Sequence, residues 1–174
     1  MRLLKRYKVS IITIVSLLAV ALLVNSCKKN DKSDSVSYFL TAGNWKLASV
    51  QTQSFVGDTL KRTDTLNTNC QVTGGQVFTF KSDNSCTFTN YHCIIQNSTG
   101  SWQLTPDNLN IETNLTAKDT LGKNIVTVGA FATAQIINLG NYSLVLQTGY
   151  TSSYYTSKTA RKITRYAFVH TLGN

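Results

Sequence analysis

Cys86, His92 and Cys93 are the residues of this chain closest in type and spacing to a nucleophilic or metal-binding group. A thiolate activated by an imidazole can attack a carbonyl carbon, and Cys and His together ligate zinc. His92 and Cys93 are adjacent, however, so on a strand they point to opposite faces and cannot serve one site. Zinc would also need further ligands. The eight acidic residues include no pair at a spacing that suggests shared acid–base work. The sequence contains no Gly-x-Ser-x-Gly, phosphate-cradling Gly loop or His-Glu-x-x-His. It therefore reads as a non-enzyme, with no catalytic residues, metal or cofactor.

Cys27 offers a different chemistry. Arg2, Lys5, Arg6 and Lys8 precede a charge-free, largely apolar run from Val9 to Val24, followed by Asn25-Ser26-Cys27. A basic segment, an apolar segment and a small residue before the cut make a secretory signal peptide. Sixteen residues of helix span about 24 Å, short of the roughly 30 Å hydrocarbon core, which argues against a retained anchor. Cys27 at the cut resembles a bacterial lipobox, where lipid is added to the sulfur and the Cys becomes the new N-terminus. Val24 and Asn25 depart from its usual residues. The expected organisation is a signal peptide over 1–26, a lipidated Cys27 with a flexible polar tether over 27–37, and one domain over 38–174. Lys28 directly after Cys27 resembles an outer-membrane rather than an inner-membrane signal. The expected location is thus the outer membrane of a gram-negative envelope, through the N-terminal lipid.

Removing residues 1–26 leaves 148 residues, enough for one domain with a real core. The formal charge of +9 shrinks with them, because four of the seventeen Lys and Arg lie in that segment. Thirteen bases against eight acids leave +5, and Lys28, Lys29 and Lys32 of these sit in the tether. Lys158, Arg161, Lys162 and Arg165 have the spacing of a solvated strand edge, so no nucleic-acid partner is expected. An exported chain meets an oxidising compartment, and Cys70, Cys86 and Cys93 then predict one disulfide and one leftover thiol. Cys86 and Cys93, if extended between, would be roughly 23 Å apart, against about 5.5 Å for bridged Cα atoms. Cys70 with Cys93 is the expected pair, both falling at strand ends near loops, although sequence alone leaves the pairing open.

The elements that would position these residues are β-strands. Tyr38 to Ala42 suggests one helical turn, and beyond it no segment keeps a 3.6-residue period. Strands are expected over Trp45–Gln51, Gln76–Lys81, Cys86–Tyr91, Ser101–Thr105, Leu109–Thr113, Ile125–Val128, Ala134–Leu139, Tyr142–Thr148 and Lys162–Thr171. Ser82-Asp83-Asn84-Ser85, Pro106-Asp107-Asn108 and Gly140-Asn141 read as hairpin links. About eight antiparallel strands joined to their sequence neighbours can close into an up-and-down barrel. Alternation puts Trp45, Leu47 and Ser49 on one face, and Thr164, Tyr166 and Phe168 on another.

The order Gly43-Asn44-Trp45-Lys46-Leu47, Phe78-Thr79-Phe80-Lys81-Ser82-Asp83-Asn84, Gly100-Ser101-Trp102-Gln103-Leu104 and Leu109-Asn110-Ile111 resembles the lipocalin-like lipoprotein domain of gram-negative bacteria. Ile136 to Leu139, Leu144 to Leu146 and Tyr166-Ala167-Phe168 continue the pattern over most of residues 38–170. The resemblance implies an all-β, lipocalin-like barrel, and it supports a Cys70–Cys93 pair. It also implies a barrel end closed by Gly43 and Trp45, with Arg165 of the last strand stacked on the indole. Asn84 stands where the family's turn usually carries Gly, and residues 149–161 form a long insertion.

Such a barrel holds either packed side chains or one small ligand. The expected function is binding of a small apolar or amphipathic ligand by a tethered monomer. The alternative is a structural or protein-interaction module of the envelope with a filled barrel. An interior filled by Trp45, Phe78, Phe80, Phe88 and Trp102 would favour the module. Tyr150, Tyr154 and Tyr155 form a candidate ligand or partner loop near the mouth. Asp-Ser/Thr-apolar occurs at Ser35, Thr59, Thr65 and Thr120, where chance predicts about 0.7 matches. This pattern resembles an O-glycosylation acceptor of exported proteins, and all four sites are expected in the tether or in loops.

Overall fold

The computed structural model describes residues 31–171 except 120, 122, 151 and 153. The signal segment, Cys27 and Thr120 lie outside the described residues. Among the described residues one α-helix, α1 (Asp31–Thr41), precedes eleven strands. These are β1 (Asn44–Val56), β2 (Thr59–Leu66), β3 (Val77–Phe80), β4 (Ser85–Thr89), β5 (Asn97–Leu104) and β6 (Asn110–Thr113). Then follow β7 (Thr116–Lys118), β8 (Ile125–Thr127), β9 (Thr133–Leu139), β10 (Ser143–Gly149) and β11 (Ala160–Thr171).

Eight of them close on one another in the order β1, β11, β10, β9, β6, β5, β4, β3 and back to β1. Every pairing is antiparallel. Chain order and spatial order agree apart from two excursions, so the barrel is the up-and-down type expected. A closed meander leaves the barrel itself no free edge.

The excursions are what the sequence did not announce. The first half of β1 pairs with β3, and its second half, from Val50 to Val56, pairs with β2 instead. Strand β7 similarly continues past β6 along β5 and pairs with β8. Ile125 to Thr127 is therefore a strand, but one outside the barrel. The missed β2 is solvated over almost its whole length and so carries no apolar alternation to read.

Residues 31–37, read from sequence as tether, lie in α1. Its packing comes from the C-terminal end, where Leu40 is fully buried and Val36, one turn earlier, packs against the core. Helices of this length owe their stability mainly to such tertiary contact. A register shift between Leu47 and Ser49 breaks the single face expected for Trp45, Leu47 and Ser49. Past this bulge Val50 and Thr52 turn inward in place of Ser49, as one extra residue inverts the alternation. Asn84 takes a left-handed φ of 64°, a conformation that Asn tolerates and Gly favours, so the hairpin survives that departure.

Candidate functional site

The barrel interior is the first place to look for a site, and aromatic rings occupy it. Phe78 stacks on Phe80 and Phe88, with ring centres 4.2 and 5.1 Å apart. Phe131, from a single 3-10 turn before β9, lies 5.3 Å from Phe78, 5.5 Å from Phe88 and 4.8 Å from Tyr166. Phe168 completes the group, and Trp102 meets Phe80 edge-on at 5.4 Å. Trp45, Phe78, Phe80, Phe88 and Trp102 are all buried, with at most 5% of their surface exposed. Clefts of about 360, 470 and 320 Å³ occur beside Gln103 and Glu112, beside Lys81 and Asp83, and beside Thr99 and Lys118. Exposed residues of the strands and hairpins contribute to the walls of all three.

Two indoles sit at the end where β1 begins. Trp45 donates its Nε1 hydrogen to the Leu40 carbonyl at 2.9 Å, and Trp102 donates to the Lys81 carbonyl at 2.9 Å. Each buried ring thus keeps its one polar atom satisfied. Neither preceding glycine has the positive φ of a forced bend. Both are required by close approach. A Cβ at Gly43 would lie 2.1 Å from His170 Nε2, and one at Gly100 would lie 2.7 Å from Asn114 Oδ1.

Arg165 does not stack on Trp45. The register sets Trp45 opposite His170, whose ring centre is 5.1 Å from the indole. Arg165 lies opposite Gln51, on the outward face of β11, and donates from Nε to Gln147 Oε1 at 3.0 Å. The aromatic partner of Trp45 is therefore an imidazole, in place of the Arg165 that the resemblance implies.

Toward the opposite end hydroxyls enter the interior. Thr52 and Thr148 are buried and face inward, and Thr52 Oγ1 lies 3.1 Å from Thr164 Oγ1. The tyrosine segment lies outside this rim. Tyr155 donates its hydroxyl to Asp58 Oδ1 at 2.5 Å, and this bond holds its phenol above the usual pKa. Tyr150 donates to the Tyr154 carbonyl at 3.1 Å. Tyr155 thus braces the segment against the β1–β2 turn, Tyr150 ties it internally, and Tyr154 is the most displayed of the three, at 90% exposure. The four bases of β11 and its approach do not form a patch. Arg161 is stacked on Tyr155, Arg165 is bound to Gln147, and Lys162 has the opposite parity.

Cys70 and Cys93 form the disulfide, with Cα atoms 5.1 Å apart. That removes Cys93 from nucleophilic or metal chemistry in the oxidised protein. Cys86 is a buried free thiol, and burial pushes its pKa up to about 12, where it stays protonated and inert. Asn90, His92 and Cys93 all have left-handed φ, an unusual density for non-Gly residues. Gln76 Oε1 accepts from the His92 amide at 3.1 Å, and Asn90 Nδ2 donates to the Gly75 carbonyl at 2.9 Å, fixing the turn from both sides.

Three of the four Asp-Ser/Thr sites fall in regular elements rather than in tether or loops. Ser35 belongs to α1, while Thr59 and Thr65 are exposed residues of β2. The acids preceding three of them hold local structure. Asp58 receives Tyr155, Asp64 pairs with Arg62 at 2.6 Å, and Asp119 accepts from the Lys123 amide at 2.9 Å.

No family model matches this sequence, and no curated protein matches it. Among solved structures, a lipocalin-like protein from Bacteroides uniformis is similar, with a TM-score of 0.40 and 15% sequence identity. The match covers 76% of this chain and 99% of that chain.

Proposed function

We propose that this chain is a non-enzymatic, lipid-anchored module of a gram-negative cell envelope, with a filled barrel that works through its outer surface. The observation that carries this reading is the ring cluster of Phe78, Phe80, Phe88, Phe131, Phe168 and Trp102 across the barrel interior. A ligand taken into the barrel would have to displace several of these rings. Removing one buried Phe costs about 3–5 kcal/mol, more than a small apolar ligand readily returns. The carrier reading is accordingly the second choice. Cys27 is the proposed anchor, facing the outer membrane, and several acyl chains on it would make attachment effectively permanent.

The test is native mass spectrometry of residues 28–174, lacking the acylated cysteine, purified from the source cell, with organic extraction of bound material. A clean mass without adduct, and no binding across a panel of lipophiles, is expected. A stoichiometric lipid-sized adduct would overturn the filled-barrel reading. Cys27→Ala tests the anchor separately, with the protein expected to leave the membrane fraction.

A further inference from the structure

Strand β2 has a strand partner on one edge only, β1, and among the described residues no backbone group beyond β1 bonds to it. An open edge presents a row of unpaired amide and carbonyl groups, ready to accept another strand. Its sequence, Thr59-Leu60-Lys61-Arg62-Thr63-Asp64-Thr65-Leu66, is exposed almost throughout. The register with β1 shifts between Ser54 and Phe55, which leaves Lys61 as the extra residue of a bulge. From Arg62 to Leu66 the pairing with β1 is continuous, so the regular part of the edge is those five residues.

Within that stretch the charges are self-complementary. We propose that β2 pairs antiparallel with β2 of a second copy of this chain, with Thr63 on the two-fold axis. Arg62 of each copy then lies opposite Asp64 of the other. Both residues are on one face of the strand, since they are two apart, and in the single chain they already touch at 2.6 Å. Two copies would make a ring of four alternating charges. Shifting the axis to Asp64 would set carboxylate against carboxylate, and shifting it to Arg62 would set guanidinium against guanidinium. An axis between Thr63 and Asp64 opposes no charges at all. One between Arg62 and Thr63 recruits Lys61, which the bulge removes from the row. Charge complementarity therefore selects both the occupant and its register. Leu60 and Leu66, each about half exposed, flank the contact and gain cover from it. Five residues of edge pairing fall well below the 1,200–2,000 Å² or so of a stable interface, so the pair suits chains held at high local concentration. The inference does not depend on what the barrel interior holds.

The test uses the full-length chain in its source cell. Arg62→Asp and Asp64→Arg are each made with both of two affinity tags and co-expressed as like and unlike tagged pairs. Each variant alone opposes like charges across the axis, whereas the unlike pair restores both ion pairs between chains. The expected result is recovery of the unlike pair at least tenfold above either like pair. Thr63→Cys is expected to cross-link to itself under mild oxidation, and Lys158→Cys is not. Equal recovery of like and unlike pairs, or no recovery of any, overturns the proposal. So does an acidic polypeptide bound to the wild type and released by Arg62→Asp, which would make β2 a docking edge for another protein.

Discussion

The guanidinium carbon of Arg161 lies 3.7 Å from the centre of the Tyr155 ring and 5.1 Å from that of Phe55. The same group donates from Nε and Nη2 to the Gly57 carbonyl, at 3.1 and 2.8 Å. One side chain thus ties the tyrosine segment, the β1–β2 turn and β11 together. Its own side chain is only 10% exposed, so these contacts are little screened. Arg161→Ala is expected to destabilise by about 2–3 kcal/mol, combining a cation–π contact with charge-assisted hydrogen bonds. Urea unfolding measures the loss, and amide exchange of residues 155–159 should speed up selectively. Arg161→Lys keeps the charge without the planar fork and should recover only part of it.

Gly43 gives a sharper test, because its requirement is a single contact. An added Cβ would meet His170 Nε2 at 2.1 Å, and that imidazole is wedged against Trp45. Gly43→Ala should lose about 1–3 kcal/mol through overpacking. Removing the obstruction should reverse the sign of the substitution. In the His170→Ala background, Gly43→Ala is expected to be neutral or mildly stabilising in thermal unfolding. Equal losses in both backgrounds would assign Gly43 to backbone conformation instead.

These two contacts also mark the boundary of what the sequence disclosed. The barrel strands were legible because Phe78 and Phe80, or Leu144 and Leu146, alternate with polar neighbours and are bounded by turn residues. Strand β2 was not, since both of its faces meet solvent and its Lys, Arg and Asp read as loop. The partner of Trp45 was misread for a different reason. Pairing depends on register, and the antiparallel register of β1 with β11 sets Trp45 opposite His170, five residues beyond Arg165. No local pattern in the sequence encodes that register. Phe131 was overlooked as a core residue because it comes from a 3-10 turn, outside any alternating run.

The three cysteines of the domain should behave as two kinds of group, one disulfide and one buried thiol. Cys70→Ser removes a link that closes 23 residues of chain, and should lose about 3 kcal/mol. Cys86 should resist alkylating reagents in the native protein, its thiol being buried with a pKa of about 12. On unfolding in urea without reductant, one thiol per domain should react. Two or three would contradict the disulfide assignment.

Acid should weaken the fold in two separate windows. Burial holds His92 below its ordinary 6.5, so the unfolded chain takes up this proton first. Stability is therefore lost as pH falls from 6.5 towards the lowered native value. Asp83, Asp107 and Asp119 lie below their ordinary 3.8, held mainly by the Ser85 hydroxyl, the Thr105 hydroxyl and the Lys123 amide respectively. Their contribution is present above 3.8 and disappears as pH falls through the lowered values. The urea midpoint should accordingly fall in a step below pH 6.5 and again below 3.8. His92→Asn, which tolerates the left-handed φ of 57°, should abolish the first step. Asp119→Asn should shrink the second.

Phe131 decides between a barrel that happens to be full and one that must be. It touches Phe78, Phe88, Tyr91, Tyr166 and Phe168 with ring centres between 4.8 and 6.5 Å, so its neighbours pack on one another as well as on it. If the remaining rings hold their places, Phe131→Ala leaves a dry cavity lined by aromatic carbon. That should cost about 3–5 kcal/mol, and benzene should then bind and restore part of the loss. The wild type should show no such benzene-dependent rise in melting temperature. A large loss without rescue would mean the rings collapse inward, and the interior would then be filled by accommodation. A loss under about 1 kcal/mol would imply loose packing at that end, and would make room for a ligand the more natural reading.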